Sequence, residues 1–143
     1  FCKKGAEMQI GMFAAPGYLK RRGTPRQLED FLQHDVIGYD RNEQVIEGLR
    51  AVGLEVERDF FSFRCDNQVV CWKMVVAGFG IGFNQLSVGL AEPAVQQIEA
   101  DVPLPRLPLW LTTHNELKTS LRVRRVFDFL AEHLAKATAR KNP

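Results

Sequence analysis

Arg64-Cys65-Asp66-Asn67-Gln68-Val69-Val70-Cys71-Trp72-Lys73-Met74-Val75-Val76-Ala77-Gly78-Phe79-Gly80-Ile81-Gly82-Phe83 reads as a polar helix start, an apolar helix, a glycine turn and a short buried strand. Asp66-Asn67 stand where a helix needs side-chain acceptors for its first free amides. Gly78 or Gly80 supplies a C-terminal turn with positive φ, and Gly82 permits close packing. A dinucleotide-binding loop is excluded by order. In that motif the glycines follow a strand and open a helix, whereas here they follow a helix and open a strand. The helix start and the strand's outgoing end can face one cleft, so the unit points to binding rather than to catalysis.

Outward from this unit, strands and helices alternate. Met8 to Phe13 alternates as a strand, stopped by Pro16-Gly17. Tyr18 to Arg22 makes a helical turn closed by Gly23. Thr24-Pro25 opens a helix whose apolar face is Leu28, Phe31 and Leu32, and Val36 to Tyr39 is a second strand. Asn42 caps a helix bearing Val45, Ile46, Leu49 and Val52, which stops at Gly53. Phe60 to Phe63 is a third strand, Ile81 to Phe83 a fourth and Leu109 to Thr112 a fifth. Ala91 to Pro108 holds four of the seven prolines and reads as an irregular crossing segment. The last helix starts near Ser120 with Val123, Val126, Phe127, Leu130 and Leu134 inward, and Lys136 to Pro143 is a frayed tail. The alternation implies an α/β fold with a largely parallel, doubly wound sheet, whose ligands sit beyond the carboxyl ends of the strands.

Composition narrows the function. A net charge of +2 is too small to argue for nucleic-acid binding by this segment. The basic patch Lys20, Arg21, Arg22 and Arg26 lacks interleaved aromatics and reads as a solvated face. No apolar run approaches the ~20 residues that span a bilayer, so no membrane partner is expected. Cys2, Cys65 and Cys71 are too sparse and odd a set for a disulfide framework, and suggest a reducing compartment. The spacing of Cys65 and Cys71 is not that of zinc ligands, and they read as structural thiols. His34, beside Asp35, suits a helix C-terminal cap, His114 pairs with Glu116 in a loop, and His133 lies on a helix face. No catalytic pair, metal cluster or cofactor motif is found, so an enzyme is not expected. Asp66-Asn67 serve as a cap alone or as a cap that also binds ligand, and Arg64 is a surface arginine or the partner of an anionic ligand.

The ordered set Phe13-Ala14-Ala15-Pro16-Gly17-Tyr18-Leu19, Arg22-Gly23-Thr24-Pro25, His34-Asp35-Val36-Ile37-Gly38-Tyr39, Ala77 to Gly82, Leu109 to Ser120 and Arg122 to Leu134 resembles the effector-binding domain of LysR-type transcriptional regulators. The resemblance runs collinearly over nearly the whole chain. It implies a periplasmic-binding-protein-like doubly wound fold, with one complete lobe and the returning C-terminal part of the other. Residues 1–100 would be the second lobe with its leading strand. Residues 101–143 would be the crossing segment, strand and C-terminal helix of the first lobe, most of which is expected upstream of Phe1. The face carrying Val123, Phe127 and Leu130 is then expected to be exposed without its missing sheet partners.

By resemblance, the effector contacts are Phe13 and Ala14 on the leading strand, Arg64, Cys65, Asp66 and Asn67 at the central helix start, and Phe83 and Asn84 after the glycine turn. Many family members carry a proline at or beside the position of Asn84. The implied partners are a small-molecule effector, promoter DNA through an N-terminal winged helix-turn-helix that is not in this chain, and a homodimer or homotetramer, all in the cytoplasm. The rival reading is a solute-binding protein of the same fold that serves transport and would need an export signal.

Overall fold

The computed structural model describes residues 2–139, as two compact units. One is Ile10–Pro105, and the other joins the residues up to Gln9 with those from Arg106 onward. A single long strand, β1 (Cys2–Ala14), contributes to both. It starts earlier than the alternation at Met8 suggests.

In the Ile10–Pro105 unit the chain continues through α1 (Pro16–Arg22), a 3-10 helix at Leu28–Gln33, β2 (Ile37–Gly38), α2 (Gln44–Ala51), a 3-10 turn at Arg58–Phe60, β3 (Phe63–Arg64), α3 (Gln68–Val76), β4 (Gly82–Gln85), α4 (Leu86–Ala91) and β5 (Gln96–Gln97). Strands β2 and β3 pair in parallel. A parallel bridge from Val36 to Ile81 links β2 to the approach to β4, with Ile37 N–H donating to the Ile81 carbonyl and Ile81 N–H to the Asp35 carbonyl, both at 2.8 Å. β1 lies antiparallel to β4 and to β5. The sheet is therefore parallel except for β1. Alternating strands and helices reveal that a sheet is wound, but not the direction of the strand that leads into it.

The core follows from β1. Met12, Phe13 and Ala14 are essentially inaccessible. Met12 and Ala14 join Tyr18, Phe31, Val36, Ile81 and Ile98 in one cluster, while Phe13 joins Ile37 and Val75 in another. This is the alternation a strand covered on both faces requires. Close backbone approach adds a constraint at Gly80, where a Cβ would lie 2.5 Å from the Asp35 carbonyl oxygen.

Several local expectations change. The helix expected at Thr24-Pro25 is the 3-10 helix from Leu28, opened by a capping box between Gln27 and Asp30. With 3.0 residues per turn, Phe31 faces inward at 2% exposure and Leu32 turns out at 52%. The third strand lies later than Phe60, because Arg58–Phe60 turns first. Strand β5 interrupts what reads as irregular chain, and helix α4 forms just before it, where no element is expected; both are too short to show a period. Asn67 caps α3 as expected, and Gly53 and Gly78 take positive φ.

In the other unit, β6 (Arg106–Thr112) pairs antiparallel with β1 over Cys2 to Gln9, with a register shift between Lys4 and Ala6. A 3-10 turn at Asn115–Thr119 leads into α5 (Leu121–Ala139). The inward face of α5 differs from the expected one. Phe127 and Ala131 are buried, whereas Val126 is 59% and Leu130 39% exposed. Phe127 is thus covered, contrary to the expected bare face. Lys136 continues the helix and pairs with Glu132 at 2.5 Å. The rest of the expected tail, 140–143, lies outside the described residues.

At the amino end of β2, Tyr18 organises a polar cluster. Its hydroxyl accepts from Asp35 N–H at 2.9 Å and lies 2.8 Å from His34 Nδ1. Asp35 in turn accepts from Arg22 Nη1 and Ser62 Oγ, each at 2.8 Å. A hydroxyl that donates to Nδ1 needs a neutral imidazole, and burial first, then Arg22, holds the His34 pKa below its usual value.

Two expected outcomes follow from this packing. Gly80→Ala forces its Cβ against backbone that cannot swing aside, at a cost of about 1–3 kcal/mol in urea unfolding; an unchanged midpoint would contradict that contact. For His34, a folded pKa below the unfolded value means that the unfolded chain binds the proton first. Its stabilising contribution is therefore complete above about pH 6.5 and is lost as pH falls through the lower folded pKa. Denaturation of wild type and His34→Gln at about pH 7 and about pH 5 should show the steeper loss in wild type. Parallel losses would refute the assignment.

Candidate functional site

The carboxyl ends of β2 and β3 lie side by side, and both run directly into polar loops. Cys65 N–H donates to the Gly38 carbonyl at 3.1 Å, the last backbone bond of the pair. Beyond it a side chain takes over. The Asp66 carboxylate accepts the amides of Asp40 (3.1 Å), Arg41 (2.9 Å) and Asn42 (3.2 Å). Three successive N–H groups converging on one anion form a nest, here filled from within the chain. The amides of Arg41 and then Asn42 hold the Asp66 carboxyl below its usual pKa. Asn42 passes the order on, its Oδ1 accepting from Gln44 N–H at 2.9 Å at the start of α2.

The neighbouring residue does a separate job. Asn67 Oδ1 accepts Val69 N–H at 3.0 Å and Val70 N–H at 3.2 Å, which caps α3. The two adjacent polar residues of the opening motif thus divide the work: one ties a distant loop and the other starts a helix.

Around the nest the charges interlock. Asp40 accepts from Arg58, which also donates from Nε to the Asp40 carbonyl at 3.1 Å. Arg64 donates to the Arg58 carbonyl at 2.9 Å, and its Nε stands 3.7 Å from Asp40 Oδ1. Two arginines, Arg58 and Arg64, therefore share the Asp40 carboxylate at this edge. Arg64 keeps exposed surface.

The remaining expected contacts fall into two groups. Asn84 lies on β4 opposite Gly11, half-buried, with its Oδ1 accepting from Gln85 N–H at 2.8 Å. Phe83 is half-buried against the larger core cluster. Cys65 is half-buried, and its sulfur accepts from Asn67 N–H at 3.4 Å. Phe13 and Ala14 stand elsewhere. Both are fully buried; the Phe13 ring meets Trp72 edge-to-face at 5.7 Å and occupies the space opposite Gly11 and Gly89. They support the edge from behind and offer no surface to solvent. Sequence reading passed over Tyr39, Asp40 and Arg58. The signal was available for the first two, since they directly follow a short strand. Tyr39 is half-buried, and burial, then Cys71, raises its pKa.

Elsewhere in this unit, Trp72, Ser87, Val88, Ala91 and Glu92 line a shallow depression between α3 and α4. Among the described residues no three His, Cys, Asp or Glu side chains are grouped to hold a metal. No helix among them is long and apolar enough to cross a membrane. His114 Nδ1 accepts from Glu116 N–H at 3.4 Å, and the His133 ring stacks on Phe129 at 3.8 Å.

The Asp66 tie has a direct readout. Asp66→Ala should speed hydrogen exchange at the amides of Asp40, Arg41 and Asn42 and spare α3, which Asn67 caps independently. Because the folded pKa is depressed, the tie contributes above the usual carboxylate value of about 3.9 and is lost as pH falls through the lower folded value. Unchanged protection of these three amides in the variant would disprove the tie.

Comparison with known proteins gives the family. The family model of the LysR substrate binding domain matches residues 3–135. The regulatory domain of CrgA, a LysR-type transcriptional regulator from Neisseria meningitidis, is similar with TM-score 0.78 and 18% identity, over 94% of this chain and 69% of that one. Full-length AphB, a virulence activator from Vibrio cholerae, is similar with TM-score 0.66 and 23% identity, over 93% of this chain and 47% of that one. The effector domain of the regulator AmpR from Pseudomonas aeruginosa is similar with TM-score 0.65 and 16% identity, over 98% and 69%. The chain also spans 47% of full-length CrgA. The comparison with curated proteins finds no match. With nearly its whole length matched by the family model, the chain belongs to the LysR substrate binding domain family.

Proposed function

We propose that this chain senses a small molecule for a LysR-type transcriptional regulator. The ligand sits against the carboxyl edge of β2, β3 and β4. The observation that carries this reading is the convergence at one sheet edge of the Asp40–Asn42 loop, the Arg64–Asn67 segment and the start of α3, where wound sheets of this kind take their ligands. Arg64 and Asn84 supply polar recognition, Cys65 and Phe83 line the edge, and Asn67 orients the helix start. Asp66, Phe13 and Ala14 hold these groups in place. The exposed guanidinium surface of Arg64 favours an anionic or strongly polar effector.

In the whole protein, effector binding would favour one arrangement of the regulatory domain over another. The bias would pass through a homodimer or homotetramer to a winged helix-turn-helix on promoter DNA, in the cytoplasm and without catalysis. Only a difference in effector affinity between the two arrangements can drive such a shift. The transport reading of the fold is not favoured, because the matched family is that of the regulators.

A thermal-shift screen of small carboxylic, phosphorylated and hydroxylated metabolites against the full regulator tests this reading. At least one compound should raise Tm with a concentration dependence set by its Kd. Arg64→Ala and Asn84→Ala should shrink that rise, measured from each variant's own ligand-free Tm. A ligand whose shift survives both substitutions would move the site away from this edge.

A further inference from the structure

Asp66 stands at a helix start but does not cap it. The cap of α3 belongs to Asn67, which takes the amides of Val69 and Val70. The Asp66 carboxylate reaches instead to the loop after β2. Its Oδ1 accepts from the amides of Asp40, Arg41 and Asn42 at 3.1, 2.9 and 3.2 Å, and Arg41 N–H also lies 3.2 Å from Oδ2. These three amides therefore hold a carboxylate, and that carboxylate is the chain's own. The amides of Arg41 and Asn42 lower its pKa most, and the Arg41 guanidinium adds to them. Asp66, Arg41 and Asn42 are all exposed. A tie serving stability alone would gain from shielding, because an exposed one competes with water and contributes little.

We propose that the amides of Asp40, Arg41 and Asn42 form a binding site for a ligand carboxylate, and that Asp66 is its tethered competitor. A ligand enters by displacing the Asp66 side chain from these donors. The ligand class follows from the occupant: one oxygen shared by three amides, with the second beside Arg41, is the footprint of a carboxylate. Displacement is local. Asp66 can turn away by side-chain rotation, because Asn67 keeps the helix cap and the Cys65 N–H to Gly38 carbonyl bond holds the backbone before it.

The exchange has two consequences. The loop keeps its amides satisfied, since one carboxylate replaces another, yet it loses its link to the segment that starts α3. Binding is thereby coupled to a change in how the two loops are joined. The tether also sets a threshold. A carboxylate on the same chain acts at an effective concentration on the order of millimolar, and the apparent affinity for ligand falls with the fraction of time the amides are free. That the incoming carboxylate belongs to the effector rests on the reading above; the carboxylate site and its competitor do not.

Chemical rescue of the full regulator tests this, with sodium acetate as the probe because it reproduces the aspartate side chain. Sodium chloride at matched ionic strength controls for screening, and acetamide for the charge. In Asp66→Ala the amides of Asp40, Arg41 and Asn42 exchange fast, and acetate at about 0.1 M should slow them where chloride and acetamide do not. Acetate should raise the Tm of this variant at about a tenth of the concentration wild type needs. Asp66→Asn keeps the side-chain shape and one carbonyl acceptor, so it should fall between the two. Unchanged protection of α3 in both variants reports an intact fold. Failure of acetate to slow the three amides, or the same acetate dependence in wild type and both variants, would overturn the proposal. A screened carboxylic ligand that depends on Arg64 but binds Asp66→Ala no tighter than wild type would also sink the competitor, and would leave the effector edge in place. Acetate rescue with every screened ligand bound elsewhere would support the carboxylate site and remove the effector from it.

Discussion

The placement of β1 governs everything built around it. One strand supplies pairing partners to β4, β5 and β6, and its residues Met12, Phe13 and Ala14 alternate into two core clusters. Phe13 carries the tightest constraint. Its ring fills the space that side chains at Gly11 and Gly89 would need, and a Cβ on Gly89 would come within 2.0 Å of it. The same ring packs on Trp72, so β1 positions α3 through an aromatic contact rather than through hydrogen bonds. The helix start at the carboxyl edge of β2 and β3 is therefore set from behind, by a residue that never reaches the surface.

At the carboxyl edge of β2 and β3 the economy is different. β2 and β3 are only two residues long each, and their pairing ends at Gly38 and Arg64. Two short strands cannot order the loops that follow, because each further residue fixed costs roughly 1–2 kcal/mol of backbone entropy with no ladder bond in return. Asp66 replaces the missing ladder. One carboxylate satisfies three amides that would otherwise rely on water, and the arginines around Asp40 brace the same loop from its other side. Ties of this kind are exposed, and their worth depends on ionisation and on local geometry.

The contrast explains how much could be read from the sequence. Asn67 as a cap and Gly78 as a turn are local facts, fixed by residues within one helical turn, and a linear reading finds them. The collinear resemblance supplies the fold, because an ordered set of weak signals constrains topology more than any one of them. What escaped reading is non-local. Nothing near Asp66 in sequence announces that it holds amides 24 to 26 residues away. Phe13 looks like a ligand wall until Gly89, far along the chain, is seen beneath its ring. On α5 the apolar stripe was legible, but Ala131 rather than Leu130 lies inward, since the true face depends on what β6 and the turn before the helix present.

The same division bears on how the edge can respond to its surroundings. A binding site built on a rigid ladder would change only by breaking many bonds together. Here a few side-chain acceptors do the holding, and each can be altered singly by a proton or a ligand group. Asp66 and Asn67 are adjacent, so the tie to the Asp40–Asn42 loop and the cap of α3 sit on two consecutive residues. The tie can loosen while Asn67 still caps α3 and Phe13 and its glycines keep the sheet beneath unchanged. A fixed core under a lightly tied edge has the mechanical property a sensing domain needs, because local binding energy can shift the edge without having to unfold the support.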